Sequence, residues 1–159
     1  MLLIPQSIFE SMIAHARACL PNECVGILAG RAGGVSPPIT SASLQGVTGG
    51  FTPPARLACE HYPLVNALAD PRRYESEPRS MFHAFKDSRD RGLEFLAIYH
   101  SHPNSPPVPS KTDLELNYSE DVVNIIISLQ GDPPEVRAYW LTATSFQEAQ
   151  VVVIPGVSG

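Results

Sequence analysis

The chain has 159 residues, of which 43% are hydrophobic, and a formal net charge of -5 at pH 7. This length predicts one domain with a proper core, and the hydrophobic content argues against wholesale disorder. The basic residues between positions 72 and 91 alternate with acidic ones, which is typical of a solvated face and not of a phosphate-binding track. We therefore expect a single domain over residues 1–154, a short tail at 155–159, and no nucleic-acid partner.

The sequence lacks the features of a membrane-spanning or secreted protein. No apolar run approaches the roughly 18 residues needed to cross a bilayer, so no membrane association is expected. The opening MLLIPQSIFE lacks a basic segment and a cleavage site, which argues against a secretory signal. Cys19, Cys24 and Cys59 are odd in number and form no CxxC pair. They are typical of reduced thiols, so a cytoplasmic protein is predicted.

The first half of the chain predicts one helix and two strands. Apolar residues recur at helical spacing between residues 5 and 20 and predict a helix there. ECVGILAGR, at 23–31, is typical of a buried strand, and a second strand is expected within 39–47. Glycines and prolines are frequent in 48–63, which favours a loop.

The second half predicts the remainder of a sheet. RRYESEP, at 72–78, is a candidate edge strand. A helix is expected over 80–91, with Met81, Phe82, Phe85 and Ser88 on one side and Gly92 at its end. LEFLAIYH (93–100) is apolar on both faces and predicts a central strand. A short helix at 112–119 and strands at 122–130, 135–142 and 146–154 complete the prediction. This order predicts an α/β or α+β domain, with a single mixed sheet flanked by helices.

Two histidines follow the predicted central strand. His100 and His102 are two residues apart, so a strand would point both imidazoles to the same side. Four prolines stiffen residues 103–109, and Asp113 comes at the start of the next helix. Two histidines and one carboxylate would leave a fourth position open for water, which is typical of catalytic zinc. The ligand set favours zinc and leaves iron and cobalt open.

Other interpretations compete with this one. Ser110 and Asp113 fit a capping box, which would satisfy a helix start without any metal. Cys59-Glu60-His61 could bind a metal but has no evident third partner. HExxH and the paired HxE and PCxxC motifs of deaminases are absent. A purely structural zinc would need a fourth protein ligand, and the sequence offers none nearby.

The stretch His100-Ser101-His102-Pro103, followed by Ser110 and Asp113, resembles the signature of the JAMM (MPN+) metallopeptidases. The resemblance implies an MPN/JAB-like, cytidine-deaminase-like architecture. It implies zinc bound by the two histidines and the aspartate. It also implies an upstream glutamate at the start of a strand, and Glu23 in PNECVGILAG stands at such a place. By its position alone, Glu23 would be an exposed residue at a strand end.

The resemblance also implies roles and partners. Glu23 would take a proton from the attacking water and pass it to the leaving amine, while Ser110 would stabilise the oxyanion. The substrate would be the amide bond after the glycine-ended tail of a ubiquitin-like or sulfur-carrier protein. Some relatives of this fold have lost the metal site and serve as scaffolds or binding modules, which is the alternative function. The sequence does not indicate an oligomeric state.

Overall fold

The computed structural model describes residues 1–32, 54–117 and 119–156. In these ranges the chain forms eight strands and three helices. They are β1 (Leu2–Pro5), α1 (Gln6–Ala18), β2 (Val25–Ala32), β3 (Arg56–Leu64), α2 (Pro78–Asp90), β4 (Glu94–His102), α3 (Lys111–Glu115), β5 (Val123–Ser128), β6 (Glu135–Leu141), β7 (Phe146–Glu148) and β8 (Val151–Ile154).

All eight strands belong to one sheet, in the order β7-β6-β5-β4-β2-β3-β1-β8. The pairs β4–β5, β1–β3 and β1–β8 are parallel, and the remaining neighbours are antiparallel. The sheet is therefore mixed, and the predicted α+β fold class is confirmed. The apolar strand β4 lies in the middle of the sheet, as its sequence predicts, and its residues from Leu96 to His102 are buried.

The two longer helices pack on opposite faces of the sheet. Met12 and Ala16 of α1 pack in one buried cluster with Tyr99 of β4. Ala84 of α2 packs in the other buried cluster with Ile98, the preceding residue of the same strand. Since side chains alternate along a strand, His100 and His102 share the face of Ile98, which is the face that α2 covers.

The predicted helices exist, although one turns a different side to the sheet. Helix α2 begins with Pro78, and the carboxylate of Glu77 accepts a hydrogen bond of 3.2 Å from the Ser80 backbone N–H. Gly92, with φ at 65°, follows its end as predicted. Phe82 and Phe85 were predicted on the same side of the helix as Met81 and Ser88. They are exposed, whereas Ser88 is buried. Helical spacing alone does not reveal which side is buried when small residues fill the inner face.

Three strand predictions were wrong. The segment 48–63 was predicted as a loop, yet it contains most of β3, which pairs with β2 on one side and β1 on the other. The predicted edge strand at 72–78 does not form, since its only ladder contact among the described residues is an isolated bridge from Asn66 to Ser76. The predicted strand at 146–154 is two strands, β7 and β8, at opposite edges of the sheet.

The remaining expectations concern two strands, the cysteines and membrane-spanning helices. The strand expected within 39–47 lies outside the described residues. Strand β1 had no counterpart in the sequence prediction. The three cysteines are free, with Cys24 buried and Cys59 exposed. In the ranges that the structure describes, no helix combines the length and apolar character needed to cross a membrane.

Candidate functional site

The two histidines converge at the end of β4. His100 is fully buried and His102 is 6% exposed. Their Nε2 atoms lie 3.1 Å apart. The alternation predicted for the strand is therefore present, and both imidazoles face the same point. The ring of Tyr74 stacks on His100 with 4.8 Å between ring centroids, which fixes the plane of that imidazole.

The proline-rich loop after the histidines is held by hydrogen bonds to its carbonyl groups. The Ser128 hydroxyl donates to the Ser105 carbonyl at 2.7 Å, and the Tyr139 hydroxyl donates to the Pro107 carbonyl at 2.6 Å. His102 contributes a third bond, in which Nδ1 donates to the Pro106 carbonyl at 2.8 Å because a carbonyl can only accept. This bond leaves the lone pair on Nε2, the atom that faces His100.

The same loop leads into α3 and places Asp113 beside the two histidines. The Ser110 hydroxyl accepts from the Asp113 backbone N–H at 3.1 Å, and the Ser110 backbone N–H donates to Asp113 Oδ2 at 2.7 Å. The capping box is thus present in full. Asp113 Oδ1 also lies 3.3 Å from His100 Nε2, and Oδ2 lies 3.6 Å from His102 Nε2. The helix cap and the cluster with the histidines therefore coexist.

The cluster of His100, His102 and Asp113 fits a metal site. One ligand atom from each residue lies within 4.8 Å of the others, and no other group of three such residues occurs in the described part of the chain. Two atoms bound about 2.0 to 2.1 Å from one tetrahedral ion lie roughly 3.3 Å apart, and the three contacts of 3.1, 3.3 and 3.6 Å surround that value. Burial alone would raise the pKa of Asp113, but its contacts with the two histidines hold that pKa below its ordinary range. The aspartate is therefore charged, as a metal ligand must be.

Glu23 lies just before β2 and is 5% exposed, so it is buried and not an exposed strand-end residue. Burial raises the pKa of its carboxyl to about 8; His102 offsets part of this effect, while Asp113 and Asp70 add to it. A carboxyl group with a pKa near neutrality can both accept and release a proton, which is the property that a general base needs.

The backbone around Glu23 is fixed from two sides. On one side, the Cys24 N–H donates a hydrogen bond of 2.8 Å to the hydroxyl of Ser101. Ser101 lies between the two histidines in β4. On the other side, the Glu23 N–H donates to the Asp70 carbonyl at 3.0 Å, and the Asn66 side-chain amide donates to the Glu23 carbonyl, also at 3.0 Å. Neither Ser101 nor Asn66 has a role predicted from the sequence. The alternation of β4 could have indicated Ser101, whereas nothing in the sequence points to Asn66.

A cleft of about 350 Å³ brings these groups together. Glu23, Ser110 and Asp113 line it, together with residues 72–76 of the loop before α2. Of the five residues predicted for the site, the structure thus brings all five to one region, with the histidines buried at the end of β4. The rival group Cys59-Glu60-His61 does not converge, since Glu60 pairs with Arg91 while His61 bonds to Tyr99 on the other face.

A mixed sheet with a His-His-carboxylate cluster at the end of a central strand defines an α+β domain that can hold a metal. Residues 5–142 match the family described as prokaryotic homologs of the JAB domain. The chain belongs to this family, and the predicted family is confirmed.

Curated relatives extend over most of the chain. A desampylase from Haloferax volcanii is 32% identical over 145 residues, which cover 91% of this chain and 90% of the relative. A CysO-cysteine peptidase from Mycobacterium tuberculosis is 27% identical over 155 residues, covering 96% of this chain and 91% of the relative. These names describe hydrolases of protein conjugates, in agreement with the predicted class of enzyme.

Solved structures agree with the fold. A protein from Desulfitobacterium hafniense has a TM-score of 0.79 and 28% identity, and the match covers 99% of this chain and 96% of that one. A JAB1/MPN domain protein from Archaeoglobus fulgidus has a TM-score of 0.53 and 18% identity, covering 95% and 97%. The predicted MPN/JAB-like architecture is confirmed.

Proposed function

We propose that this protein is a zinc-dependent peptidase that hydrolyses the amide bond after the glycine-ended tail of a ubiquitin-like or sulfur-carrier protein. The observation that carries the proposal is the convergence of His100, His102 and Asp113 beside the buried carboxyl group of Glu23. Nitrogen and carboxylate ligands in this number favour zinc with an open coordination position. Bound there, zinc supplies a Lewis acid that polarises the scissile carbonyl and acidifies water.

Glu23 carries the proton in this reaction. Its carboxylate takes a proton from the attacking water while the hydroxyl oxygen joins the carbonyl carbon. The same carboxyl group then gives that proton to the leaving nitrogen as the amide C–N bond breaks. The raised pKa supports this transfer, because a carboxylate whose pKa lies near neutrality is a stronger base than an ordinary one and can still give the proton to the leaving nitrogen.

The hydroxyl group of Ser110 stabilises the oxyanion that forms when water adds to the scissile carbonyl. Its hydroxyl oxygen accepts the cap bond from the Asp113 N–H, so the hydroxyl hydrogen can donate into the cleft that Ser110 lines. A donor directed at the developing negative charge lowers the barrier for the addition of water. Ser110 therefore has two roles, since it also fixes the helix turn that presents Asp113.

The relatives support the class of substrate. The name CysO-cysteine peptidase describes cleavage of a cysteine conjugate of CysO, and a second relative is named a desampylase. A probable TtuB-protein conjugate cleaving protease from Thermus thermophilus is 30% identical over 115 residues, which cover 72% of this chain and 62% of that protein. An extended tail of glycines suits this cleft, because a residue without a Cβ lets the backbone come close to the reacting groups.

The test uses two carriers that differ only at the end. One ends in Gly-Gly joined to an amino acid or a lysine side chain, and the other ends in two leucines joined to the same group. We expect the zinc-loaded protein to cleave only the first, and a chelator to abolish that cleavage until zinc is returned. Equal cleavage of both carriers, or cleavage of an unrelated peptide alone, would contradict a tail-specific enzyme.

The alternative is a scaffold or binding module without catalysis. The complete ligand cluster and the buried acid beside it favour the enzyme, because a scaffold needs neither. A zinc-loaded protein that binds the Gly-Gly carrier and never cleaves it would support the scaffold.

A further inference from the structure

The two histidines of the metal cluster are oriented in different ways. His102 donates through Nδ1 to the Pro106 carbonyl at 2.8 Å, which fixes the rotation of its ring. A histidine that binds a metal through one ring nitrogen usually donates through the other nitrogen in this way. His100 is fully buried, and its Nδ1 atom has no hydrogen-bond partner among the described residues. The orientation of the His100 ring therefore depends on contacts other than a hydrogen bond to Nδ1.

The aromatic ring of Tyr74 lies against the face of His100. The ring centroids are 4.8 Å apart, and the two planes are inclined by only 29°. Stacked aromatic rings attract each other at centroid distances of about 4.5 to 7 Å. Rotation of the imidazole about its Cβ–Cγ bond would swing the ring edge into the tyrosine. The stack therefore opposes the rotation that would carry His100 Nε2 away from His102 and Asp113.

Tyr74 is held in place through the backbone on either side of it. The Asn66 side-chain amide donates to the Arg73 carbonyl at 3.0 Å, and the Asn66 side-chain oxygen accepts from the Glu75 N–H at 3.1 Å. The same amide donates to the Glu23 carbonyl, also at 3.0 Å. The loop that carries the tyrosine ring is thus fastened to the backbone of the general base.

We propose that Tyr74 is a positioning residue of the metal site, whose ring orients His100 in place of a hydrogen bond to Nδ1 and so raises the affinity of the site for zinc. Tyr74 acts through His100 and forms no bond to the metal itself. The inference rests on the proposed function, because it takes His100 as a zinc ligand. The loop 66–76 then supports both parts of the site, the general base through Asn66 and a metal ligand through Tyr74.

The test measures the dissociation constant for zinc in the absence of substrate, by competition with a chelator. Turnover alone would not distinguish the metal site from a substrate contact, because Tyr74 also lines the cleft. Tyr74→Ala removes the ring, and we expect its dissociation constant for zinc to be about tenfold higher than that of the unaltered protein. Tyr74→Phe keeps the ring, so its dissociation constant should stay within about twofold of the unaltered value.

Tyr62→Ala is the matched control for a general loss of stability. Tyr62 and Tyr74 both pack against the buried cluster that contains Ile98. The Tyr62 hydroxyl donates to Asp87, and Tyr62 lies outside the residues that line the cleft. Tyr62→Ala should therefore lose stability in urea unfolding of the metal-free protein and keep its dissociation constant for zinc within about twofold.

The visible absorption spectrum of the cobalt-loaded protein gives a second readout. The d–d bands of cobalt report the geometry of its ligands, so they respond to the orientation of His100 and not to stability. We expect shifted bands in Tyr74→Ala and unchanged bands in Tyr74→Phe and Tyr62→Ala.

The outcomes separate this inference from the proposed function. Zinc binding by Tyr74→Ala as tight as in the unaltered protein would reject the positioning role and leave the peptidase activity standing. Equal losses of affinity in Tyr74→Ala and Tyr62→Ala would also reject it, because stability would then be the cause. A loss in Tyr74→Phe as large as in Tyr74→Ala would reject it as well, because the hydroxyl and not the stack would then matter. Failure of the unaltered protein to bind zinc would overturn the proposed function, and the inference with it.

Discussion

Removing the side-chain amide of Asn66 should slow catalysis without removing the metal. Asn66 makes four hydrogen bonds of 3.0 to 3.1 Å, two as a donor to the carbonyls of Glu23 and Arg73 and two as an acceptor from the backbone of Leu68 and Glu75. Asn66→Asp is the sharpest change, because it keeps the acceptor oxygen and loses only the two donor bonds.

The magnitude follows from where these bonds lie. The bond to the Glu23 carbonyl is half-buried and the one to Arg73 is exposed. Losing both and placing a carboxylate against two carbonyls should cost about 2 kcal/mol in the free energy of unfolding. A displacement of the general base by about 1 Å can slow a reaction by up to about 100-fold. We expect kcat to fall at least tenfold.

The assay measures zinc content, kcat and urea unfolding for Asn66→Asp beside Asn124→Ala. Asn124 is the matched control, since it is a buried amide on β5 that bonds to Asn117 and does not line the cleft. Asn124→Ala should lose stability and keep kcat, whereas Asn66→Asp should lose both and keep its zinc. Unchanged kcat in Asn66→Asp would refute the view that this loop positions Glu23.

Two further predictions concern other parts of the molecule. Ser110→Ala should lower kcat by up to about 100-fold, because the oxyanion donor is lost. It should also lower the free energy of unfolding by about 1 kcal/mol, because the helix cap is lost. Ser110→Gly, measured beside it, should show the same fall in kcat but a smaller loss of stability. Burial holds the pKa of His61 at about 4, below its ordinary value of 6.5, and nearby His15 adds to this effect. The unfolded chain therefore takes up this proton at a higher pH than the folded protein does. Between pH 7 and pH 4 the unfolding free energy of the unaltered protein should fall by about 2 kcal/mol more than that of His61→Gln, once solvent screening of the partly exposed ring is allowed for. If the unfolding free energies of these two proteins changed in parallel with pH, the lowered pKa of His61 would be contradicted.

The parts of the site that depend on neighbouring residues could be predicted from the sequence. His100 and His102 share a face because a strand alternates, and Asp113 starts a helix because Ser110 caps it. These rules act over a few residues and need no knowledge of the fold. Glu23 is different, since it is 77 residues before His100 and was found only through the family resemblance. Its burial could not be predicted from its position at a strand end, because the cover comes from the distant loop 66–76.

The errors in the fold have a related physical cause. Strand β1 has four residues, and its hydrogen bonds go to β3 and to β8 at the far end of the chain. Strand β3 contains Pro63 and little continuous apolar sequence, so its assignment depends on pairing with β1 and β2. Long-range pairing of this kind leaves only a weak local pattern. The predicted single domain over 1–154, its cytoplasmic location and the identity of the metal stay predictions.

The most direct test of the account is the zinc content and the turnover of Glu23→Gln, measured on one preparation. Glu23 is proposed as a base and not as a ligand, so the variant should hold one zinc per chain and keep its fold. Its turnover of a Gly-Gly carrier should nevertheless fall at least about 100-fold, because glutamine cannot accept the proton of water. A Glu23→Gln protein with unchanged turnover would contradict the mechanism, and one that loses its zinc would show that Glu23 belongs to the metal site itself.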